Sequence, residues 1–151
     1  MLSFMDGFLG YNQIRLAKED QDKTSFTIPW GTYCYVVMPF GLKNAGTTYQ
    51  RAMMVIFHDM IHIDMEVYID DILVKSRIRA EHPQALARIL QRSREHNLKM
   101  NPKKCVFGVS SGKLLGFIVS KRGIEIDPNK AKAITEMPPP KNLKELRGLI
   151  G

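Results

Sequence analysis

The sequence predicts an α+β fold, an antiparallel sheet with helices packed on one face. Short runs of β-branched and aromatic residues, bounded by turn residues, supply the strands. Thr47 to Ile61 and residues 83–96 instead repeat apolar side chains every three or four positions, as helices do. With 44% apolar and 25% charged residues in 151, the chain has the composition of one globular domain with a real core.

Leu2-Ser3-Phe4-Met5-Asp6 reads as an apolar strand ending in a carboxylate. Ile14-Arg15-Leu16 reads as a second strand, and Thr24 to Trp30 as a third, alternating Phe26, Ile28 and Trp30. Gly31-Thr32 is placed as the hairpin turn into Tyr33 to Met38. Pro39 to Gly46 is loop-like, and the helix after it presents Tyr49, Met53, Ile56 and Met60 on one face. Met65 to Ile69 is a strand, Asp70-Asp71 its turn and Ile72-Leu73-Val74 the returning strand. The basic helix over 83–96 turns Leu86, Ile89 and Leu90 inward. Strands follow near Val106-Phe107, Leu114 to Val119 and Ile124 to Ile126. Asp127 caps a helix whose first residue is Pro128, a favoured start. Beyond Pro138-Pro139-Pro140 a last basic helix runs from Asn142 to Gly151.

No stretch approaches the ~20 apolar residues of a membrane span, and the start lacks a signal-peptide pattern. Cys34 and Cys105 are too few for a disulfide framework, so a reducing, intracellular setting is expected. The net charge of +7 is uneven. Residues 1–75 carry six Lys/Arg against nine Asp/Glu, a balance of −3, and residues 76–151 carry sixteen against six, or +10. A basic half suits a polyanion and an acidic half a cation site, although an ordinary basic surface fits the count equally well.

Tyr68-Ile69-Asp70-Asp71 lies between two apolar strands. Adjacent carboxylates at a hairpin tip repel one another, which is tolerable when they are solvated or when cations neutralise them. Asp is also an ordinary turn residue. Asp6, ending another strand, makes a third carboxylate available, and three such oxygen donors suit Mg²⁺. His58-Asp59-Met60-Ile61-His62 spaces two imidazoles four apart on the expected helix, as HExxH zinc proteases do. The general-base Glu is missing, however, and no third ligand stands out. His82 and His96 read as surface histidines.

Three segments together carry a family resemblance. Tyr68 to Asp71 resembles the YxDD box of reverse transcriptases, Leu2 to Leu16 (LSFMDGFLGYNQIRL) the aspartate motif before it, and Met38 to Arg51 (MPFGLKNAGTTYQR) the loop–helix motif between them. Their order and spacing resemble the Ty3/gypsy class of long-terminal-repeat retrotransposon Pol polyproteins over essentially the whole chain.

The resemblance implies a right-hand polymerase palm over 1–127, with the fingers largely missing, and the truncated start of thumb or connection helices over 128–151. It implies an RNA-directed DNA polymerase that adds deoxynucleotides to a primer 3′-hydroxyl on an RNA or DNA template. The alternative is a catalytically silent remnant with weak nucleic-acid binding at most. Two Mg²⁺ ions, with Mn²⁺ as a substitute, are implied at Asp6, the Gly7 carbonyl, Asp70 and Asp71. Tyr11 matches the aromatic gate against a 2′-hydroxyl, and packing in the core is its alternative. Phe40, Gly41 and Tyr68 match nucleotide-pocket positions, and Gly46 stands where relatives often carry proline. Lys104, with Lys103 as the second choice, matches a lysine beside the leaving pyrophosphate. Leu114 to Phe117, above all Leu115 and Gly116, resembles the primer grip. Implied partners are template–primer, deoxynucleoside triphosphates and further Pol segments (RNase H and integrase), with no membrane. The implied location is a cytoplasmic particle or the nucleus.

Overall fold

Two strands far apart in sequence form the centre of the computed structural model, which describes residues 1–150; the final residue of the last expected helix, Gly151, lies outside the described residues. In chain order the elements are β1 (Leu2–Asp6), α1 (Lys18–Gln21), β2 (Phe26–Ile28), β3 (Gly31–Tyr33), α2 (Ala45–Ile56), β4 (Met65–Tyr68) and β5 (Asp71–Lys75). There follow α3 (His82–Glu95), β6 (Val106–Val109), β7 (Ser111–Leu114), β8 (Phe117–Ser120), β9 (Gly123–Ile126), α4 (Pro128–Thr135) and α5 (Leu143–Ile150).

The main sheet is four-stranded and antiparallel, in the order β4-β5-β1-β6. β2 and β3 form a separate hairpin, and β7-β8-β9 a three-stranded antiparallel sheet. The middle three residues of both β1 and β5 are buried, so both faces of the central pair are covered. Register sorts the faces, because cross-strand partners share a side. Met5 pairs with Ile72 and Ser3 with Val74 on the side that meets the helices. There α2 buries Ala45, Tyr49 and Met53 at four-residue spacing, and α3 buries Ala85 and Ile89. With Phe57 and Met65 these residues form one continuous core. Phe4 points the opposite way and lies against β7, where a Cβ at Gly112 would stand 2.3 Å from its ring. Helices therefore cover one face and a second sheet the other.

Several expected boundaries move, each for a local reason. Gly31 and Thr32 belong to β3, and the turn falls at Pro29-Trp30, where proline's fixed φ and missing donor suit a loop. Ile14 to Leu16 is no strand; it makes one isolated bridge, Arg15 to Val37. α2 stops at Ile56 because Phe57 turns into the core, fully buried, and the chain then reverses through His62 at φ 68°. His58 and His62 therefore do not share a helix. Both are largely exposed, and His62 Nδ1 lies 2.8 Å from Glu66 Oε2. In α3, Leu90 is 37% exposed and Ser93 is buried in its stead. Leu114 to Val119 is split by a turn at Leu115-Gly116, both at positive φ (52° and 82°), as a tight two-residue hairpin requires.

His82 is the clearest correction. Rather than lying on the surface it is 2% exposed, with Nε2 2.7 Å from the Ser3 hydroxyl and Nδ1 2.5 Å from that of Ser76. The Ser3 hydroxyl also accepts from the Gly108 amide at 3.0 Å. β1, the end of β5, the start of α3 and β6 are thus joined by one buried polar cluster with every partner supplied. The Asp127 cap stands as read, its carboxylate accepting from the Asn129 amide while also pairing with Lys113 at 2.6 Å.

Candidate active site

The carboxylates meet at one end of the central strand pair. Asp6, last in β1, is the register partner of Asp71, first in β5, so their side chains leave the sheet on the same side. Asp70 precedes them in a two-residue loop, Ile69-Asp70, closed by the pairing of Tyr68 with Asp71. The turn is therefore one residue earlier than the sequence suggested. The Asp70 carbonyl accepts from the Gly7 amide at 2.8 Å, which fastens the loop beside the end of β1. Residues 64 positions apart in sequence are in this way held side by side by backbone alone.

Each carboxylate has its own surroundings. Asp6 pairs with Lys104, whose Nζ stands 3.2 Å from Oδ2. The neighbouring Lys103 is exposed and, among the described residues, makes no ion pair. The Asp70 carboxylate lies over Gly10, where an added Cβ would fall 2.3 Å from both its oxygens. Glycine at φ 28° is what lets it lie there. Asp70 Oδ1 is buried with no hydrogen-bond partner. Burial holds the Asp70 carboxyl above its ordinary range, and the charges of Asp6 and Asp71 add to this while Lys104 opposes it. Asp71 is raised in the same way, by burial and then by Asp6. Burial also pushes the Tyr49 hydroxyl up to about 12, helped by the Asp70 and Asp6 charges.

A small pocket of about 190 Å³ is lined by Asp6, Asp71, Lys104, Lys113 and Leu114 among others, so the β7–β8 hairpin borders the carboxylates. Leu115 and Gly116 form its tip, one residue beyond Leu114, and Leu115 is half-exposed. On the opposite side Tyr11 sits half-buried, its ring edge-on to Phe40 at 5.3 Å and to Tyr49 at 5.8 Å. Gly46 packs beside it: a Cβ there would sit in ordinary contact, 3.5 Å from the Tyr11 hydroxyl and 3.7 Å from Ile69 Cδ1. Phe40, at 65%, and Tyr68, at 55%, expose large apolar surfaces. Gly41 stands in the open at φ 98°, where a Cβ would meet nothing within 4 Å.

Sequence reasoning did not single out Gln50, Gly10 or Tyr49 as part of this site. Gln50 and Gly46, four apart on α2, both face Ile69, and the Gln50 amide bonds to the backbone on either side of Tyr68. A small residue and an amide at helical spacing inside the segment 38–51 is the signal that would have pointed there.

The donor set suits a hard divalent cation: only oxygen ligands, two carboxyls whose protonation burial favours, and one buried oxygen left without a partner. Among the described residues, no three acidic, imidazole or thiol side chains are gathered into a finished cage. The carboxylates are neighbours through their backbone, with Asp6 turned to Lys104 and Asp70 to Gly10.

Comparison with known proteins is consistent with this geometry. Residues 1–143 match the family described as reverse transcriptase (RNA-dependent DNA polymerase). The chain is 37% identical over 142 residues to the retrovirus-related Pol polyprotein from transposon gypsy of Drosophila melanogaster, and 39% to that from transposon opus of the same organism. It is 33% identical over 141 residues to the transposon Tf2-3 polyprotein of Schizosaccharomyces pombe. These alignments cover 93–94% of this chain but only 11–14% of the relatives, so the chain spans a small part of their length. In fold it superposes on the foamy viral protease-reverse transcriptase in complex with RNA/DNA hybrid (TM-score 0.85) and in complex with double-stranded DNA (0.88). Both are 22% identical, with 99% of this chain covered and 20% and 26% of theirs. This chain belongs to the reverse transcriptase family of RNA-dependent DNA polymerases, and these relatives are Pol polyproteins of gypsy-type and Tf2 transposons.

Proposed function

We propose that residues 1–127 are the palm of an RNA-directed DNA polymerase and residues 128–151 the beginning of its thumb or connection. The observation that carries this reading is the antiparallel pairing of β1 with β5, which sets Asp6 opposite Asp71 while the Asp70 loop is pinned to Gly7. Asp6, Asp70, Asp71 and the Gly7 carbonyl would hold two Mg²⁺ ions. Bound there, the ions would supply Lewis-acid stabilisation of phosphate oxygens and ease deprotonation of the attacking hydroxyl.

In the reaction the primer 3′-oxygen forms a bond to the α-phosphorus of a deoxynucleoside triphosphate, the bond to the β-phosphate oxygen breaks, and pyrophosphate leaves. Asp70, charged and short of partners, gains most from a cation beside it. Lys104 rests on Asp6 and lies within reach of a triphosphate brought to the same pocket, where its ammonium offsets charge on the leaving group. Tyr11, braced by Phe40 and Tyr49, would be the flat ring under the sugar that leaves no room for a 2′-hydroxyl. The β7–β8 hairpin would hold the primer end, a reading supported by its border on the same pocket. The basic second half follows the template–primer backbone, which gives binding that weakens with salt and ignores base sequence.

The test is primer extension on homopolymer RNA with Mg²⁺, using this chain alone and with the preceding segment of a gypsy-type relative fused to it, each beside an Asp70→Asn control. Extension that the control abolishes supports the reading. Absence of extension from both forms identifies a silent remnant.

A further inference from the structure

We propose that Gln50 is the positioning residue of this site: from α2 it fixes the strained turn that aims Asp70. The inference rests on the polymerase reading of the three carboxylates. Ile69 occupies the first position of the two-residue loop at φ 52°. That is left-handed backbone, which a β-branched residue strongly disfavours and which such hairpins ordinarily give to glycine. An unsupported loop would relax, and Asp70, the next residue, would swing with it.

Gln50 opposes that relaxation from both sides of Tyr68. Its Oε1 accepts from the Ile69 amide at 2.6 Å, and its Nε2 donates to the Val67 carbonyl at 3.2 Å. The same helical face carries Gly46, where a Cβ would lie in ordinary contact with Ile69 Cδ1 at 3.7 Å, so this face of α2 packs directly on the turn. The Asp70 carbonyl is tied separately to the Gly7 amide. The turn is thus fastened before Asp70 by a side chain and at Asp70 by β1. Only the first fastening opposes the unfavourable φ of Ile69. A helix–strand staple alone would need no bond to the one amide that belongs to the strained residue.

The experiment titrates Mn²⁺ into the full chain by electron paramagnetic resonance and follows exchange of the Ile69 amide by NMR. It compares the parent chain with Gln50→Met, Ile69→Gly and the double variant. Gln50→Met keeps helix propensity and length but removes both bonds. It is expected to weaken Mn²⁺ binding by about tenfold, a hydrogen bond's worth of positioning, and to speed Ile69 exchange. Gln50→Met/Ile69→Gly is expected to regain most of the lost affinity, because glycine takes the turn conformation unaided. A purely structural Gln50 would not be rescued that way. Mn²⁺ affinity of Gln50→Met within twofold of the parent, or no recovery in the double variant, overturns the proposal. Failure of the parent chain itself to bind Mn²⁺ overturns the polymerase reading instead. The Ile69 amide then still decides whether Gln50 holds the turn, and unchanged exchange in Gln50→Met refutes it.

Discussion

Replacing Asp70 with asparagine is expected to make the protein more stable while removing a residue proposed for catalysis. Asp70 Oδ1 is buried with no hydrogen-bond partner, in a carboxylate that also faces Asp6 and Asp71. A buried polar group left unpartnered costs about 1–3 kcal/mol and more when it is charged, and asparagine keeps the polar shape while removing the charge. The rest of the side chain is partly open to solvent, and screening by water brings the expected gain from Asp70→Asn to about 1 kcal/mol. In a chain of this size that corresponds to a Tm rise of roughly 2–4 °C. The pH dependence follows from linkage. Asp70 titrates above its ordinary 3.8 in the folded protein, chiefly through burial, so the folded state retains a proton that the unfolded chain has released. Its favourable contribution is complete below pH 3.8 and is lost as pH rises through the raised value. The advantage of Asp70→Asn should therefore be absent at pH 3.5, grow above it, and be full at pH 7. Thermal melts from pH 3.5 to 7.5 in chelator, repeated with Mg²⁺, measure this, and Mg²⁺ should close the gap by stabilising the parent alone. A Tm for Asp70→Asn at or below the parent's at pH 7 in chelator would refute the claim that this carboxylate is held at a loss.

Four further outcomes follow from contacts across the fold. Gly10→Ala drives a methyl into the Asp70 carboxylate, so Mn²⁺ affinity should fall at least tenfold by isothermal titration, and retained affinity would remove Asp70 from the site. Gly112→Ala meets the Phe4 ring and should cost about 1–3 kcal/mol in urea unfolding, as overpacking does; a neutral result would mean that β7 does not seat on the main sheet. Ser3→Ala strips partners from His82 Nε2 and the Gly108 amide and should cost about 1–3 kcal/mol. Because burial, aided by the N-terminal ammonium, lowers the His82 pKa, the parent's stability should decline as pH falls from 6.5, and a flat profile between pH 7.5 and 5.5 would contradict that burial.

Much of the frame is legible in sequence where local chemistry and tertiary packing agree. β1 and β5 carry short apolar runs, and Asp127-Pro128 starts α4 by capping alone. The misplaced boundaries mark where tertiary contacts prevail. Helical periodicity continues past Ile56, but burying Phe57 at the base of the core ends α2 first. Leu114 to Val119 looks like one strand because nothing in its apolar pattern announces Leu115 at φ 52°. His82 resembles a surface histidine until Ser3, far away in sequence, supplies its partner. For the site, the three carboxylates carry a motif, whereas Gln50 acts through backbone atoms of another element, and its four-residue spacing from Gly46 is the one trace it leaves.

The positions that break local rules gather around one place. Ile69 takes a glycine's conformation, Asp70 buries an unpartnered oxygen, Gly10 yields its side-chain space, and a single lysine offsets three carboxylates. Strain and like charge of this kind persist only where surrounding structure over-determines them. Here β1 and β5 are buried on both faces and paired along their full length, so the sheet cannot yield to the repulsion at its end. The loop that carries Asp70 is the softer part, and it is the part that receives a second fastening from α2. A core of buried methionines and aromatics thus holds acidic groups in an arrangement they would not adopt by themselves, which is the condition under which a cation gains most by arriving.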